Sequence, residues 1–525
     1  MHRLRDALVS RSAWLVVAVV VVVLAHVLGS PRNVGPDEAS HQVASAALVR
    51  GDRSGIPVPG SSTVEDFLLP GMVGVPKPTC FAFQPDVSVV CSQVILTTDT
   101  HQVGTSSQHY PPFAMFLPGL ASFVPWAEGY AYLARLLSAI IPVALVAAAL
   151  VRVRRRRSSL TTVALLAGAT PIAWFTWGVL NPSAAAIAGA TALWAALATV
   201  DDDRRLPWLA VLGWAAIITA RRDGPYWVTV VVLLAAILLR TPPSRWWALA
   251  SMGQRVTIGL AWLAAIVSVR TDTANSFPLV MAATPLALVV LPPVAARLRR
   301  LSTAVVAAVV LIVAGLGAVV LYALSPKSVG GGYLVRLVEA TGEHLYQLVG
   351  RLGTLDASAP LTSVLLWWAT VGGLAALALL FAPHHFRTGL LLLGTVIVSA
   401  WLLEIGSGNR SATYWQGRYS LPATIALPFV LALATEDRLD SVRRGAQRGV
   451  AAAVAVVAWW VWNATFFAAQ RRWAVGAGGS WFPWNWSTWD SPLPPVLVLF
   501  VHALASAALL LIVLTPPRRP AEVAA

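Results

Sequence analysis

Long apolar runs, separated by short basic clusters, make up most of this 525-residue chain. A run of about 20 apolar residues is long enough to cross a bilayer as a helix. Matching the runs to the basic clusters predicts about 14 transmembrane helices. The first span is predicted within residues 1–30, and the others within 129–324, 361–467 and 495–525. The pattern therefore predicts an all-α polytopic membrane protein.

The basic clusters also predict how the chain is oriented. Arg3, Arg5 and Arg11 precede the first apolar run, and a later cluster, Arg154–Arg157, follows a run that returns to the same side. Lysine and arginine are enriched in cytoplasmic loops, so both termini are predicted to be cytoplasmic. Three larger loops are then predicted outside the membrane, at residues 31–128, 325–360 and 468–494.

The composition supports a membrane location and argues against a nucleic-acid partner. The chain is 57% hydrophobic and 12% charged, whereas soluble domains carry about 25% charged residues. Its net charge is +15, but the cations lie in short clusters between apolar runs rather than on one surface. The sequence has no P-loop, so it gives no indication that ATP is used. We expect the lipid bilayer to be the main environment of the chain.

The first candidate chemistry follows the first span directly, in the sequence GPDEASH. Pro36 suits the first turn of a helix, and the carboxylates of Asp37 and Glu38 suit its positive end. The helix is predicted to end near Arg50, where a cation and a glycine suit a C-terminus. On this helix Asp37 and His41 lie one turn apart on the same face. An acid and a titratable base are therefore expected at the membrane surface.

Asp37, Glu38 and His41 form the predicted catalytic group. Asp37 is the preferred general base because it shares a face with His41, whereas Glu38 points about 100° away around the helix. The two carboxylates could also hold a divalent ion, Mg²⁺ or Mn²⁺, and the sequence leaves this open. The alternative is an ordinary acidic helix start after a membrane span.

A carboxylate at the membrane surface, with cations in other loops on the same side, points to a lipid-phosphate substrate. Arg418 is the leading cation because its planar guanidinium pairs well with phosphate oxygens. Its neighbours Gln416 and Tyr419 join it as predicted substrate-binding residues. Lys327 and Arg351, in the preceding outer loop, are secondary candidates. For each cation the alternative is anchoring at the interface or simple solvation.

Tryptophans crowd the last outer loop at positions 473, 481, 484, 486 and 489. An aromatic belt at the membrane interface is one explanation. The alternative is a platform for a sugar ring or a lipid acceptor, with Trp484 as the candidate binding residue.

The chain has only two cysteines, Cys80 and Cys91, and both lie in the first outer loop. If that loop faces an oxidising compartment, a disulfide that closes a short loop is expected. The alternative is a pair of buried free thiols.

Five segments together resemble a family of bacterial membrane proteins called domain of unknown function 2142. They occur in the family's order and are spread over most of the chain: Pro36-Asp37-Glu38 with His41, Tyr110-Pro111-Pro112, Asn181-Pro182, Gly350 to Asp356, and Gln416 to Tyr419 followed by Pro422. One departure is Thr354, near which an aromatic residue is expected. The resemblance places the chain in the cytoplasmic membrane of a bacterium.

That family is in turn similar to the C-type glycosyltransferases (GT-C), which are multi-span enzymes with an acidic motif in the first outer loop. The resemblance implies a GT-C-like fold, a polyprenyl-phosphate sugar as donor, and Asp37 or Glu38 as the catalytic carboxylate. The predicted function is an inverting glycosyltransferase that serves a glycan or lipid acceptor of the cell envelope on the outer face of the membrane.

Two other functions are kept as alternatives: a transporter or flippase of a lipid-linked saccharide, and a non-catalytic envelope-assembly protein. A transporter is expected to carry ionisable residues near the middle of its spans. Within the predicted spans we find Arg135 and Glu404, and Glu404 is close to an outer end. The sparse interior favours the enzyme.

Overall fold

The computed structural model describes residues 2–61, 64–75, 80–92, 96–200, 205–268, 332–406, 415–439, 444–486, 489 and 491–515. The first half of the chain contains helices α1 (His2–Gly29), α2 (Glu38–Val49), α3 (Phe113–Gly119), α4 (Tyr130–Arg156), α5 (Ser159–Gly168), α6 (Pro171–Gly178), α7 (Ser183–Leu197), α8 (Trp208–Ala220), α9 (Gly224–Leu238), α10 (Pro243–Leu249) and α11 (Met252–Ser268). The second half contains α12 (Gly332–Gly350), α13 (Leu361–Phe381), α14 (Pro383–Gly406), α15 (Gly417–Thr424), α16 (Leu427–Leu439), α17 (Arg444–Val475) and α18 (Pro495–Leu514).

Within the described residues, six helical segments are long and apolar enough to cross a membrane: Arg11–Gly29, Tyr130–Arg156, Leu361–Phe381, Gly417–Ala434, Gly445–Val475 and Pro495–Leu514. The number rises to eight if two bent pairs each count as one span. These pairs are α5 with α6, bent by 66°, and α9 with α10, bent by 100°. A helical, multi-pass membrane protein is thus confirmed.

The predicted number of about 14 spans is not confirmed. Several apolar runs form helices shorter than the length of about 20 residues that a span needs. Examples are α7 with 15 residues and α8 with 13. Residues 269–331, in which further spans were predicted, lie outside the described residues.

Close helix packing builds the bundle core. Helices α7 and α8 cross at a pair of glycines, where a Cβ on Gly189 would lie 2.7 Å from the carbonyl oxygen of Gly213. Small residues at such a crossing let two backbones approach closely, which is how helices pack in lipid. Helix α1 packs against α4, α6 and α18.

The segment after α1 folds into a small appendage on the bundle. It holds α2, α3 and a three-stranded antiparallel sheet of β1 (Ile56–Pro57), β2 (Glu65–Pro70) and β3 (Thr100–Thr105) in that order. Phe67, Leu69 and Val103 of the sheet pack in one cluster with Val43 and Ala47 of α2. The sequence predicted only an outer loop here, because strands of two to six residues carry little periodic signal.

Two boundaries in the second half differ from the sequence prediction. The segment predicted as a loop at residues 325–360 contains α12 and a hairpin of β4 (Arg351–Leu352) and β5 (Ala357–Ser358). Helix α17 continues to Val475, into the segment predicted as the tryptophan-rich loop. Both helices carry charged residues among apolar ones, and these charges interrupt the apolar pattern that predicts a helix across the membrane.

Candidate functional site

A cavity of about 610 Å³, here called the site cavity, lies at the face of the bundle where α1 ends and α15 begins. We call this face the site face. Segments that are distant in the sequence form its wall: the chain around Asp37, the loop after Cys80, the turn between β4 and β5, and the start of α15. Gly74 and two residues of β3, Val103 and Gly104, complete it from the appendage. Four predicted site residues, Asp37, Glu38, Gln416 and Arg418, line this cavity together.

Asp37 and Arg418 form an ion pair across the site cavity wall. The Arg418 Nη2 atom donates to Asp37 Oδ2 at 3.1 Å, and the Asp37 side chain is 55% exposed while that of Arg418 is 2% exposed. The Nε and Nη1 atoms of Arg418 are buried and have no hydrogen-bond partner among the described residues. A guanidinium with unused donors is well suited to bind an oxyanion. The site therefore combines an accessible carboxylate with a cation that has spare donors.

Glu38, the neighbouring acid, is held quite differently. Its carboxylate is fully buried and takes two hydrogen bonds from Arg135, both at 2.7 Å. The backbone N–H groups of Gly35 and Leu180 donate to the same carboxylate at 3.0 and 3.1 Å. Arg135 also donates to carbonyl oxygens at the end of α1 and just beyond it. Glu38 thus fastens the Asp37 segment to α4, and its oxygens are already occupied.

The backbone of Asp37 has an unusual conformation for a residue with a side chain. Asp37 is the N-cap of α2 with φ 58° and ψ 14°, and its side chain makes no capping bond within the described chain. Simple helix capping therefore does not explain this carboxylate. Four of the five non-glycine residues with positive φ in the described structure line the site cavity: Asn33, Asp37, Phe83 and Leu355. Backbone strain of this kind gathers at functional sites.

His41 lies one turn after Asp37 on α2, as predicted, but it contacts Tyr110 rather than the cavity. The two rings meet edge-to-face with centroids 5.1 Å apart. Burial, opposed in part by the Asp37 carboxylate, lowers the pKa of His41 to about 4, so the ring is neutral at pH 7. Burial likewise raises the pKa of Tyr110 to about 12. Asp37 pairs with Arg418 and not with His41. The His41 ring instead packs against Tyr110 and supports α2.

Two helices fix the backbone on either side of Gln416. The N–H of Gly417 donates to Gln347 Oε1 of α12 at 2.9 Å. The N–H of Trp415 donates to Glu404 Oε1 of α14 at 2.5 Å. Arg418 is therefore presented by a turn that is anchored on both flanks.

Tyr419, predicted to bind substrate, is buried beside Arg418 and does not line the site cavity in the described structure. The guanidinium carbons of Arg418 and Arg221 lie 4.8 and 4.3 Å from the centre of its ring. Such contacts are attractive because the ring face carries negative charge. Tyr419 thus positions Arg418 rather than forming the cavity surface.

Other predicted binding residues lie away from the site cavity. Arg351 pairs with Glu343 at 2.9 Å, on the side of α12. Trp484 is exposed but does not line the site cavity as the structure describes it. Lys327 lies outside the described residues.

The tryptophans that the sequence predicts in the last outer loop do not form a single platform. Trp473, Trp486 and Trp489 are buried in a cluster that also contains Phe81 of the loop after Cys80. Trp481 is exposed and stacks with Phe467. Most of these indole rings therefore serve packing at the site face.

Arg472 is a site-supporting residue that sequence reasoning missed. Its buried guanidinium pairs with Asp356 at 2.7 Å, and it donates to the carbonyl oxygens of Phe81, Gln84 and Val87 at 2.6–2.9 Å. In the structure Cys80 and Cys91 form a disulfide that closes this loop, which we call the disulfide loop. The available signal was an arginine inside an apolar run, which requires a partner.

The segments that carry the family resemblance come together around the site. The Asn181 side chain donates to the Pro36 carbonyl at 3.0 Å, directly before Asp37. Together with the Asp37–Arg418 and Asp356–Arg472 pairs, this contact joins pieces that are hundreds of residues apart. Sequence order alone did not predict these pairings.

A divalent ion held by Asp37 and Glu38 does not fit this arrangement. Both oxygens of Glu38 are taken by Arg135 and by backbone N–H groups, and a cation there would replace an arginine. Mg²⁺ and Ca²⁺ need about six oxygen ligands. Within the described residues, no group of three or more His, Cys, Asp or Glu side chains could hold a metal ion.

The helical segments and their length define a multi-pass integral membrane protein. A family model described as "Predicted membrane protein (DUF2142)" matches residues 19–427, which is more than half of the chain. The chain therefore belongs to this family, and the family expected from the motif segments is confirmed. Comparison with curated proteins and with solved structures gives no match.

Proposed function

We propose that this chain is a membrane glycosyltransferase of the GT-C type. It transfers a sugar from a polyprenyl-phosphate donor to a hydroxyl group of a cell-envelope acceptor. The site face is then the outer face of the bacterial cytoplasmic membrane. The observation that carries the proposal is the Asp37–Arg418 pair in the wall of one cavity, with Asp37 accessible and two Arg418 nitrogens without partners in the described chain.

The proposed reaction needs two groups, and this pair supplies them. The acceptor hydroxyl attacks the anomeric carbon, and its proton passes to the Asp37 carboxylate, which is general base catalysis. The bond between the anomeric carbon and the phosphate oxygen breaks at the same time, and polyprenyl phosphate leaves. Arg418 neutralises the charge of the leaving phosphate. One displacement of this kind inverts the configuration at the anomeric carbon.

Donor binding and base activation are linked in this scheme. A donor phosphate that binds Arg418 competes with Asp37 for the same cation. Asp37 is then released from Arg418 and can accept the proton of the acceptor.

The test is sugar transfer by the purified full-length chain in lipid, with a panel of radiolabelled polyprenyl-phosphate sugars and an envelope extract as acceptor. We expect transfer from one donor by the wild type. Arg418→Lys keeps the charge but loses the planar guanidinium, so transfer should fall appreciably, and Arg418→Ala should reduce it further. Arg53→Ala, which removes an exposed arginine shortly after the end of α2, is the matched control and should be neutral.

Three results would overturn the proposal. The first is no transfer from any donor by well-folded protein. The second is wild-type transfer by both Arg418 variants, which would make Arg418 a structural cation only. The third is movement of the labelled lipid across the bilayer without any transfer, which would identify a transporter.

A further inference from the structure

We infer that the half of the site cavity between Arg418 and the disulfide loop is a subsite for a sugar ring, with the Phe83 side chain as its aromatic floor. This inference rests on the proposed function, because the ring is that of the sugar attached to the donor phosphate. It adds residues that neither the sequence pattern nor the family match assigns.

Phe83 is the first observation. Its side chain lines the site cavity and is 73% exposed, whereas Phe81, two residues earlier, is buried in the core. Phe83 also has φ 62°, in the left-handed region. A non-glycine residue in this region carries backbone strain, which persists only when the surroundings fix it. The chain thus holds an exposed aromatic side chain at the cavity in an unfavourable backbone conformation.

The fixing contacts are visible on both sides of Phe83. Arg472 binds the carbonyl oxygens of Phe81 and Gln84 at 2.8 and 2.9 Å, so the backbone is held just before and just after residues 82 and 83. The C-terminal end of α17 closes against the same loop, where the N–H of Ala477 donates to the Pro85 carbonyl at 2.8 Å. Phe83 is therefore preorganised rather than loose.

A second segment of the cavity wall is held by the same cation. Arg472 pairs with Asp356, which follows Leu355, another cavity residue with positive φ, at 68°. One buried guanidinium therefore sets the spacing between the Phe83 loop and the turn that carries Leu355. Two cavity segments fixed against one guanidinium form a preorganised surface, which suits a rigid ligand.

Polar atoms complete the subsite. Gln416 Oε1 and Thr354 Oγ1 belong to cavity-lining residues, and both atoms are buried without a hydrogen-bond partner among the residues that the structure describes. Buried polar atoms normally have partners, so these two are suited to the hydroxyl groups of a ligand. A pyranose has an apolar C–H face and a rim of hydroxyls, and a phosphate at its anomeric carbon would lie toward Arg418.

The experiment measures binding of four probes to the full-length protein in lipid nanodiscs: inorganic phosphate and the 1-phosphates of glucose, galactose and mannose. We expect at least one sugar phosphate to bind about tenfold more tightly than inorganic phosphate. Phe83→Ala and Phe83→Leu should each weaken that sugar phosphate about fivefold, the scale of one lost aromatic contact. Phe83→Tyr should retain it, and inorganic phosphate should bind all variants alike.

The control is Phe482→Ala, which removes an aromatic ring that is 59% exposed and does not line the site cavity as described. It should change no affinity. If no sugar phosphate binds more tightly than inorganic phosphate, the subsite is refuted. If Phe83→Leu behaves like the wild type, Phe83 is a general apolar contact and the subsite is also refuted. Failure of sugar transfer with Phe83-dependent sugar binding intact would refute the proposed function and leave the subsite standing.

Discussion

The variant Glu38→Gln distinguishes most clearly between the roles of the two adjacent acids, Asp37 and Glu38. The sequence groups Glu38 with Asp37 as a catalytic residue, but in the structure it is the buried partner of Arg135. We expect Glu38→Gln to reduce the stability of the fold, and to affect any activity only through that loss.

The contacts of Glu38 indicate how much stability Glu38→Gln should lose. The amide keeps the shape but removes the charge that balances Arg135, which is fully buried. It also turns one oxygen acceptor into an N–H₂ donor, although both oxygens of Glu38 accept from backbone N–H groups and from Arg135. Breaking a buried ion pair from one side costs about 3–5 kcal/mol. An exposed ion pair contributes only about 0–1 kcal/mol.

The assay is denaturant unfolding in detergent micelles, followed by tryptophan fluorescence, with Glu343→Gln as the control. Glu343 is also paired with an arginine, but its side chain is 42% exposed. We expect the midpoint for Glu38→Gln to fall well below the wild-type value while Glu343→Gln stays close to it. Equal, small shifts in both variants would show that the Glu38–Arg135 pair does not anchor the site.

Two further predictions concern the residues around the site. Because burial lowers the pKa of His41 to about 4 and the unfolded chain binds the proton near pH 6.5, stability should fall as the pH drops from 6.5 toward 4. The free energy of unfolding should fall by roughly 2 kcal/mol between pH 7 and pH 5. If a His41→Gln variant loses just as much, His41 is not the group responsible. Non-reducing mass spectrometry should find Cys80 and Cys91 joined. Replacing both with serine should lower the free energy of unfolding by about 2–4 kcal/mol. Two free thiols in fresh protein would contradict this.

The sequence was most informative where the signals are local. Helix α2 was predicted to start around Pro36 and to end at Arg50, and it covers Glu38–Val49, because proline, acids and a terminal glycine act on their own turn. The apolar runs likewise predicted a multi-pass membrane protein. Asp37 and Arg418 were selected by chemistry, and the structure brings them to 3.1 Å across 381 positions of sequence.

The rest depends on partners that are far away in the chain. The role of Glu38 is set by Arg135, 97 residues later. The helix-face pattern that favoured Asp37 as the base did not predict this buried ion pair. Arg472 occurs in an apolar helix, and its partners lie in two other segments, the loop after Cys80 and the turn between β4 and β5. The tryptophans around residue 480 were grouped by spacing, whereas packing buries Trp473 and leaves Trp484 exposed. Long-range contacts of this kind decide which polar residues reach the site cavity.

Sugar transfer by Asp37→Asn tests the central claim most directly. The amide preserves the shape of the side chain and removes the base, so transfer from the labelled polyprenyl-phosphate sugar should fall by about 10²–10⁴. The stability should fall less than for Glu38→Gln, because the Asp37 side chain is 55% exposed and the amide oxygen can still accept from Arg418. Asp52→Asn, which alters an exposed acid just past the end of α2, should transfer sugar like the wild type. Full activity of Asp37→Asn at matched expression would show that Asp37 is not the base and would contradict the account.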